Sequence, residues 1–259
     1  MSIFQKDISK SLDQWELWLA MGWSDIAQRY RRSIIGPFWI SMSMAVLVLT
    51  IGTLYSRLFN QDINTYIPYL TAGLISWNLM SVTVSEGCVA FIEAAGFIKQ
   101  IKLPLPVFML RVIWRNFVIT LHHVLVFLFV ALYFKVPLNW HLLLIIPGLL
   151  LVMLNLFWIS SLVAIVSARY RDLPPIINSL LQPAFFFTPI IWSKDQVSSR
   201  PMLVDTNPIF HSIEVIRAPL LGGTPAIESW LVVTGMAVVG LIALKIVYEY
   251  LSWRIPYWI

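Results

Sequence analysis

Residues 142–168 read LLLIIPGLLLVMLNLFWISSLVAIVSA, without one charged side chain. An α-helix needs roughly 20 apolar residues to cross about 30 Å of hydrocarbon. This stretch is therefore long enough to span a bilayer on its own. Uncharged runs recur at 33–56, 63–85, 116–134, 173–193 and 229–244. The last is the shortest, and Lys245 can snorkel so that the span continues toward Tyr250. The pattern predicts six transmembrane helices, at 33–56, 63–85, 110–134, 142–168, 173–193 and 228–250.

Composition agrees with this reading. The 259 residues are 59% hydrophobic and 12% charged, whereas a soluble domain carries about 25% charge. The expected fold class is an all-α integral membrane protein. A short N-terminal region, 1–32, precedes a six-span domain, 33–259. The first 32 residues mix charges with tryptophans and lack the apolar core and cleavage site of a signal peptide. The single Cys88 cannot close an internal disulfide and reads as a small apolar filler. A net charge of +5 does not point to nucleic acid.

Charge distribution predicts the orientation. With the N-terminus in the cytoplasm, Arg57, Lys135, Lys194, Arg200 and Arg217 fall outside. The remaining 13 of the 18 Lys and Arg fall inside (18 − 5 = 13). This is the positive-inside bias. The expectation is a multi-pass protein of the bacterial cytoplasmic (inner) membrane with both termini cytoplasmic.

Between the spans the chain is punctuated. Residues 9–31 read as one amphipathic helix, with Leu12, Trp15, Leu19, Trp23, Ile26 and Tyr30 inside an arc of about 80°. A tryptophan-rich helix of this kind lies in the membrane interface, as a plain anchor or as a moving element. Two prolines in KQIKLPLP (99–106) bar a continuous helix and leave room for a short one before Pro104. RYRDLPP (169–175) is a second tight charged corner. Both face the cytoplasm. After Trp192, Ile209, Ile213, Ile216 and Leu220 recur at helical spacing between Pro208 and Gly222-Gly223. This predicts a re-entrant or interfacial helix on the outer side, too short to span.

Enzyme chemistry is not legible. There is no G-x-x-x-x-G-K-[ST] phosphate loop, H-E-x-x-H, C-x-x-C or G-x-S-x-G. His122 and His123 are adjacent on a helix, point about 100° apart and cannot chelate one metal together. They read as packing residues or part of a polar seam. No metal site is expected. Glu86 and Glu93 sit at the inner end of the second span, and no uncharged run carries the midplane acid that a proton-coupled carrier needs.

Six stretches together resemble one known family. They are RYRRSIIGPFW (29–39), SEGC (85–88), FIKQIKLPLPVFMLRVIWR (97–115), RYRDLP (169–174), FFTPIIW (186–192) and NPIFHSIEVIRAPLLG (207–222). Their order and spacing resemble the membrane subunit of ABC-type polysaccharide exporters, the O-antigen permeases above all. Capsule and teichoic-acid permeases are similar too, and the same superfamily holds permeases for small molecules and lipids. The resemblance implies a transport subunit, not an enzyme. It implies a homodimer bound to two copies of a separate ATPase subunit that carries the ATP and Mg, with no cofactor on this chain. It implies membrane lipids as neighbours and a glycan on undecaprenyl diphosphate as cargo.

The resemblance also implies roles. Residues 9–31 would form a cytoplasmic gate helix. Lys99, Gln100, Lys102, Arg169, Arg171 and Asp172 would couple to the ATPase. The segment around 193–225, with Asn207, Pro208, Glu214 and Arg217, would form an outer gate. Sugars offer apolar C–H faces to aromatic rings, so Phe38, Trp39, Tyr55, Trp77, Phe185, Phe186, Phe187 and Trp192 are candidates to line the path. These rings also suit lipid packing and the membrane interface. The cargo's diphosphate needs cations, and Arg29, Arg31, Arg32, Arg111 and Arg115 are candidates at the entrance because guanidinium forks bind phosphate. Arg111 and Arg115, spaced i,i+4, share a helix face.

Overall fold

A computed structural model describes residues 2–31, 36, 38–197 and 202–259. Its helices, in chain order, are α1 (Ile3–Asp13), α2 (Trp15–Tyr30), α3 (Phe38–Leu58), α4 (Ile63–Glu93), α5 (Ala95–Gln100), α6 (Pro106–Tyr133), α7 (Ile145–Arg169), α8 (Leu173–Phe187), α9 (Met202–Asp205), α10 (Pro208–Leu220), α11 (Ile227–Leu251) and α12 (Ile255–Trp258). Short 3-10 turns cover Trp140–Leu144, Lys194–Val197 and Ser252–Arg254. There is no strand among the described residues.

Among the described residues, five helices are long and apolar enough to cross a membrane: α3, α4, α6, α7 and α11. Short connections run α3, α4, α6 and α7 as antiparallel neighbours, and α11, reached through a long connection, packs parallel to α7. One end of the bundle carries α5, α12 and the corner between α7 and α8. The opposite, far end carries α10. Helix α4 is the hub and packs against α3, α6, α7, α8 and α10. Its approach to α7 depends on Gly87, where a Cβ would lie 2.6 Å from the Ser160 Cβ. With little hydrophobic driving force between helices in lipid, close backbone approach at small residues is what holds such pairs.

The 173–193 stretch, expected as the fifth span, is not one continuous helix. Helix α8 has 15 residues, about 22 Å at 1.5 Å per residue, short of the hydrocarbon thickness. It stops because Pro189 follows Thr188. The residue before proline is pushed out of the helical region, and Thr188 is extended at φ −97°, ψ 137°. The irregular backbone beyond it is buried and is served by side chains. Tyr66 donates its hydroxyl to the Ile191 carbonyl at 2.5 Å, and Tyr69 approaches the Pro189 and Trp192 carbonyls at 3.2 Å each. Arg217 Nη1 donates to the Pro189 carbonyl at 2.7 Å.

The N-terminal region also differs from expectation. Residues 9–31 do not form one helix. The chain breaks at Gln14 (φ −91°, ψ 35°), and α1 starts early because Ser2 and Gln5 make a reciprocal capping box. The predicted arc does not act as one buried face. Ile26 is buried, whereas Leu12, Trp15 and Trp23 are more than half exposed. Helix α2 instead docks on α6 through Trp18, Gly22 and Ile26, spaced i, i+4, i+8. A Cβ at Gly22 would meet Trp114 Cδ1 at 2.8 Å and the Arg111 carbonyl at 3.1 Å. Phe4 of α1 packs edge-on against Tyr248 of α11, whose hydroxyl donates to Asp7 at 2.7 Å.

Other boundaries shift modestly. Span two continues as helix to Glu93, so Glu86 lies inside it. Span three starts at Pro106, which puts Arg111 and Arg115 in its first turns. The predicted start of span one, at 33–35 and 37, lies outside the described residues. Cys88 is free and fully buried. The Gly87 contact yields a stability test. Gly87→Val should overpack the α4–α7 seam by about 1–3 kcal/mol, seen as a lower aggregation temperature in detergent, and Ser160→Gly in the same chain should restore part of the loss.

Candidate functional site

A groove of about 720 Å³ runs between α3, α4 and α8. Its walls are mostly apolar, with Met44, Leu47, Ile51, Leu74, Val82 and Leu181 set among rings and polar groups. Trp77, Phe185 and Phe186 supply rings, with Trp77 and Phe185 centroids 5.5 Å apart. Asn78, Ser81, Ser85, Glu86, Asn178 and Gln182 supply polar groups. Ser85 donates its hydroxyl to Asn178 Oδ1 at 2.6 Å and ties α4 to α8 across the groove. Asn178 and Gln182 are exposed. An amide facing hydrocarbon without a partner is costly, so this wall is suited to water, to a polar ligand or to another protein surface.

The groove meets a charge cluster at its α5 end. Asp25 of α2 accepts Arg111 Nε at 2.7 Å, Arg111 Nη2 at 2.5 Å and Arg115 Nη1 at 2.8 Å. Glu86 of α4 accepts Arg115 Nη2 and Asn116 Nδ2 at 2.7 Å each through Oε2. Arg29 Nη2 reaches Glu86 Oε1 at 3.3 Å. The helical spacing of Arg111 and Arg115 aims both at Asp25, and that of Asp25 and Arg29 aims both at α6 and α4. Buried charges persist only when paired and hydrogen-bonded, and this cluster joins three helices.

Of the five candidate cations, the structure brings Arg29, Arg111 and Arg115 together. Arg31 is exposed nearby in sequence, and Arg32 lies outside the described residues. The sequence reading placed Glu86 at the inner end of the second span but paired neither it nor Asp25 with these arginines. A carboxylate just past an uncharged run, as Glu86 is, calls for a cation at the same depth; that was the available signal.

The candidate aromatics divide. Trp77, Phe185 and Phe186 line the groove. Phe38 lines a separate, mostly apolar groove between α3 and α6. Tyr55 packs on Phe59 with centroids 5.5 Å apart. Trp39 and Phe187 are exposed, and Trp192 donates its indole N–H to the Phe186 carbonyl at 2.9 Å. The structure does not bring these five to the groove.

Lys99, Gln100, Lys102, Arg169, Arg171 and Asp172 are all exposed at the α5 end of the bundle. Helix α12 braces them, packing on both α5 and α7. Arg171 Nη2 donates to the Trp258 carbonyl at 3.3 Å, and the Arg169 guanidinium lies 5.9 Å from the Trp258 ring centroid. No sequence signal marked this C-terminal brace.

At the far end Asn207 caps α10, accepting the Ile209 and Phe210 amides at 2.9 and 3.3 Å, and Pro208 occupies the first turn. Helix α10 packs against α4, α7 and α11. Arg217 is buried, forks onto Glu214 Oε2 at 3.1 and 2.7 Å and stacks 4.2 Å from the Tyr69 ring centroid. Both residues are internal struts.

Asp25 carries two of the ties that hold α2. Asp25→Asn should increase amide exchange across α2 by about tenfold or more while leaving α10 unchanged, measured by hydrogen exchange mass spectrometry.

Comparison with known proteins agrees with this architecture. A family model described as ABC-2 type transporter matches residues 16–221. The chain is 27% identical over 192 residues to the O-antigen export system permease protein RfbA of Myxococcus xanthus, covering 71% of this chain and 72% of that one. It is 25% identical over 230 residues to a protein of the same name from Klebsiella pneumoniae, covering 84% and 86%. A second Klebsiella pneumoniae protein of that name is 23% identical over 229 residues, with the same coverage. With an all-helical bundle, five helices of spanning length and a family match over most of its residues, the chain belongs to the ABC-2 type transporter family.

Proposed function

We propose that this chain is the permease subunit of an ATP-driven exporter that moves a lipid-linked polysaccharide, an O-antigen on undecaprenyl diphosphate, across the bacterial inner membrane. The observation that carries this reading is the groove between α3, α4 and α8. Its mainly apolar wall carries three rings and three amides, and it is open along one side. Sugar rings stack their C–H faces on Trp77, Phe185 and Phe186, while Asn78, Asn178 and Gln182 exchange hydrogen bonds with hydroxyls. Similarity to O-antigen permeases along 71–84% of the chain supports the same cargo class.

The open, polar wall is half of a path. In the homodimer a second copy closes it, so that Asn178 and Gln182 face water and glycan instead of lipid. The α5 end faces the cytoplasm, in keeping with the positive-inside bias, and both termini lie there. Six passes follow if α8 and the irregular backbone after it together cross the membrane, a form tolerated where such backbone is buried in protein. Helix α10 then enters from the outer side, and α1 and α2 lie at the cytoplasmic interface with Trp15 and Trp23 toward headgroups.

Two copies of an ATPase subunit grip α5 and the 169–172 corner. Both are short, proline-bounded and braced by α12, so a push there moves whole helices as rigid bodies.

Two experiments test this reading. In a strain lacking the gene, surface polysaccharide should disappear and return with the wild-type chain; normal surface glycan in the deletion strain overturns the proposal. Gln182→Leu should cut surface glycan several-fold with insertion unchanged, because the groove loses a polar partner for hydroxyls. For coupling, Lys99→Glu with Lys102→Glu should lower export by about tenfold or more while ATPase of the purified complex stays within about twofold, because the motion is no longer transmitted.

A further inference from the structure

Three donors converge on one carboxylate at the α5 end of the groove. Arg115 and Asn116 hold Glu86 Oε2, and Arg29 reaches Oε1. That is the geometry of an anion site, here filled by a side chain of the protein itself. The contacts around it are unequal. Arg111 and Arg115 are held at 2.5–2.8 Å. Among the described residues Arg29 makes one contact, at 3.3 Å, and half of its side chain is exposed. Arg29 is the member that can exchange partners most easily.

The charges are also unequal. Arg29, Arg111 and Arg115 face two carboxylates, Asp25 and Glu86, so the cluster has one positive charge in excess. The Arg115 Nε is buried without a hydrogen-bond partner among the described residues, in a residue only 9% exposed. A buried donor left unmade is costly, and here it marks capacity for another acceptor. Glu86 itself forms part of the groove wall, next to Ser85, with Asn178 on the opposite side. Its carboxylate has polar surroundings to turn toward.

We propose that Glu86 is a built-in stand-in for phosphate. Arg29, Arg115 and Asn116 form an anion site at the mouth of the groove, which Glu86 fills in the empty protein and vacates for a phosphate or diphosphate group. Phosphate brings more charge and more acceptor oxygens than a carboxylate, and guanidinium forks bind it bidentately. Its arrival removes the Arg29–Glu86 tie between α2 and α4, while Asp25 still holds α2 to α6 through Arg111. Anion binding and freedom of α2 are thereby linked. This rests on the exporter reading for the source of the anion, a lipid-linked diphosphate.

The test uses the complete permease–ATPase complex in lipid nanodiscs and measures binding of two probes, inorganic diphosphate and undecaprenyl diphosphate. Glu86→Gln removes the competing charge and keeps the shape, so it should bind at least one probe about tenfold more tightly than wild type. Arg29→Ala should bind about fivefold or more weakly, since a charge-assisted contact is lost. A gain with both probes shows recognition of the diphosphate itself; a gain with the prenyl form alone assigns the site to the lipid headgroup. Equal affinity of Glu86→Gln and wild type for both probes overturns the proposal. Arg29 is half exposed and contributes the longest contact of the cluster, so Arg29→Ala is expected to assemble, and unchanged affinity in it overturns the proposal even if Glu86→Gln does not assemble. Surface glycan in the deletion strain is scored separately. Normal glycan with the Glu86→Gln effect present leaves the anion site standing and removes the exporter reading; lost glycan without that effect does the reverse.

Discussion

Hydrocarbon offers no water to an unpaired peptide group, and the architecture follows from meeting that demand internally. Five long helices do it by continuity. The exception is the break after α8, where Pro189 forces Thr188 out of the helix and leaves buried carbonyls. Tyr66, Tyr69 and Arg217 come from α4 and α10 to serve them. Those bonds fix α8 against the hub helix and seat α10 beside it. The groove owes its shape to the same arrangement, since α8 forms one wall of it. Removing the break would restore a simple span and would also remove the reason for Arg217 to be buried.

The second organising feature is electrostatic. Asp25, Arg29, Glu86, Arg111 and Arg115 join α2, α4 and α6 at the point where the groove opens. A surface ion pair contributes little, but these side chains are mostly withdrawn from solvent, and the loss of one partner strands the others. The cluster therefore works as a latch on α2. Glu86, which takes the weakest of these contacts, also lines the groove. Binding of an anion and mobility of the N-terminal helix are in this way placed on the same few atoms.

Much of this was legible in residue order. Uncharged runs located the spanning helices because their side chains alone decide partition into lipid. The prolines at 104 and 106 and at 174 and 175 marked the two corners, and Pro208 with Gly222 bounded α10, because backbone restrictions act locally. Less legible were the break in the N-terminal helix and the short α8. Hydropathy cannot distinguish a helix from a buried loop when both are apolar, and the effect of Pro189 was outweighed by the length of its uncharged run. The moment of the N-terminal stretch pointed to a tryptophan face, whereas packing chose Gly22 and Ile26, where backbones approach closely.

Among the site residues, Arg111 and Arg115 could be paired from their spacing, and Trp77, Phe185 and Phe186 from their type. That Asp25 and Glu86 lie against those arginines joins positions 86 and 90 residues apart in one case and 29 in the other, and no local pattern encodes such distances. The sequence by itself determined that this chain lives in a bilayer, roughly where its long apolar helices lie, and which aromatic, amide and cationic residues it carries. Only the tertiary structure decided which of them meet, because a charge or a ring acquires its role from what stands opposite, and opposition is set by how helices pack.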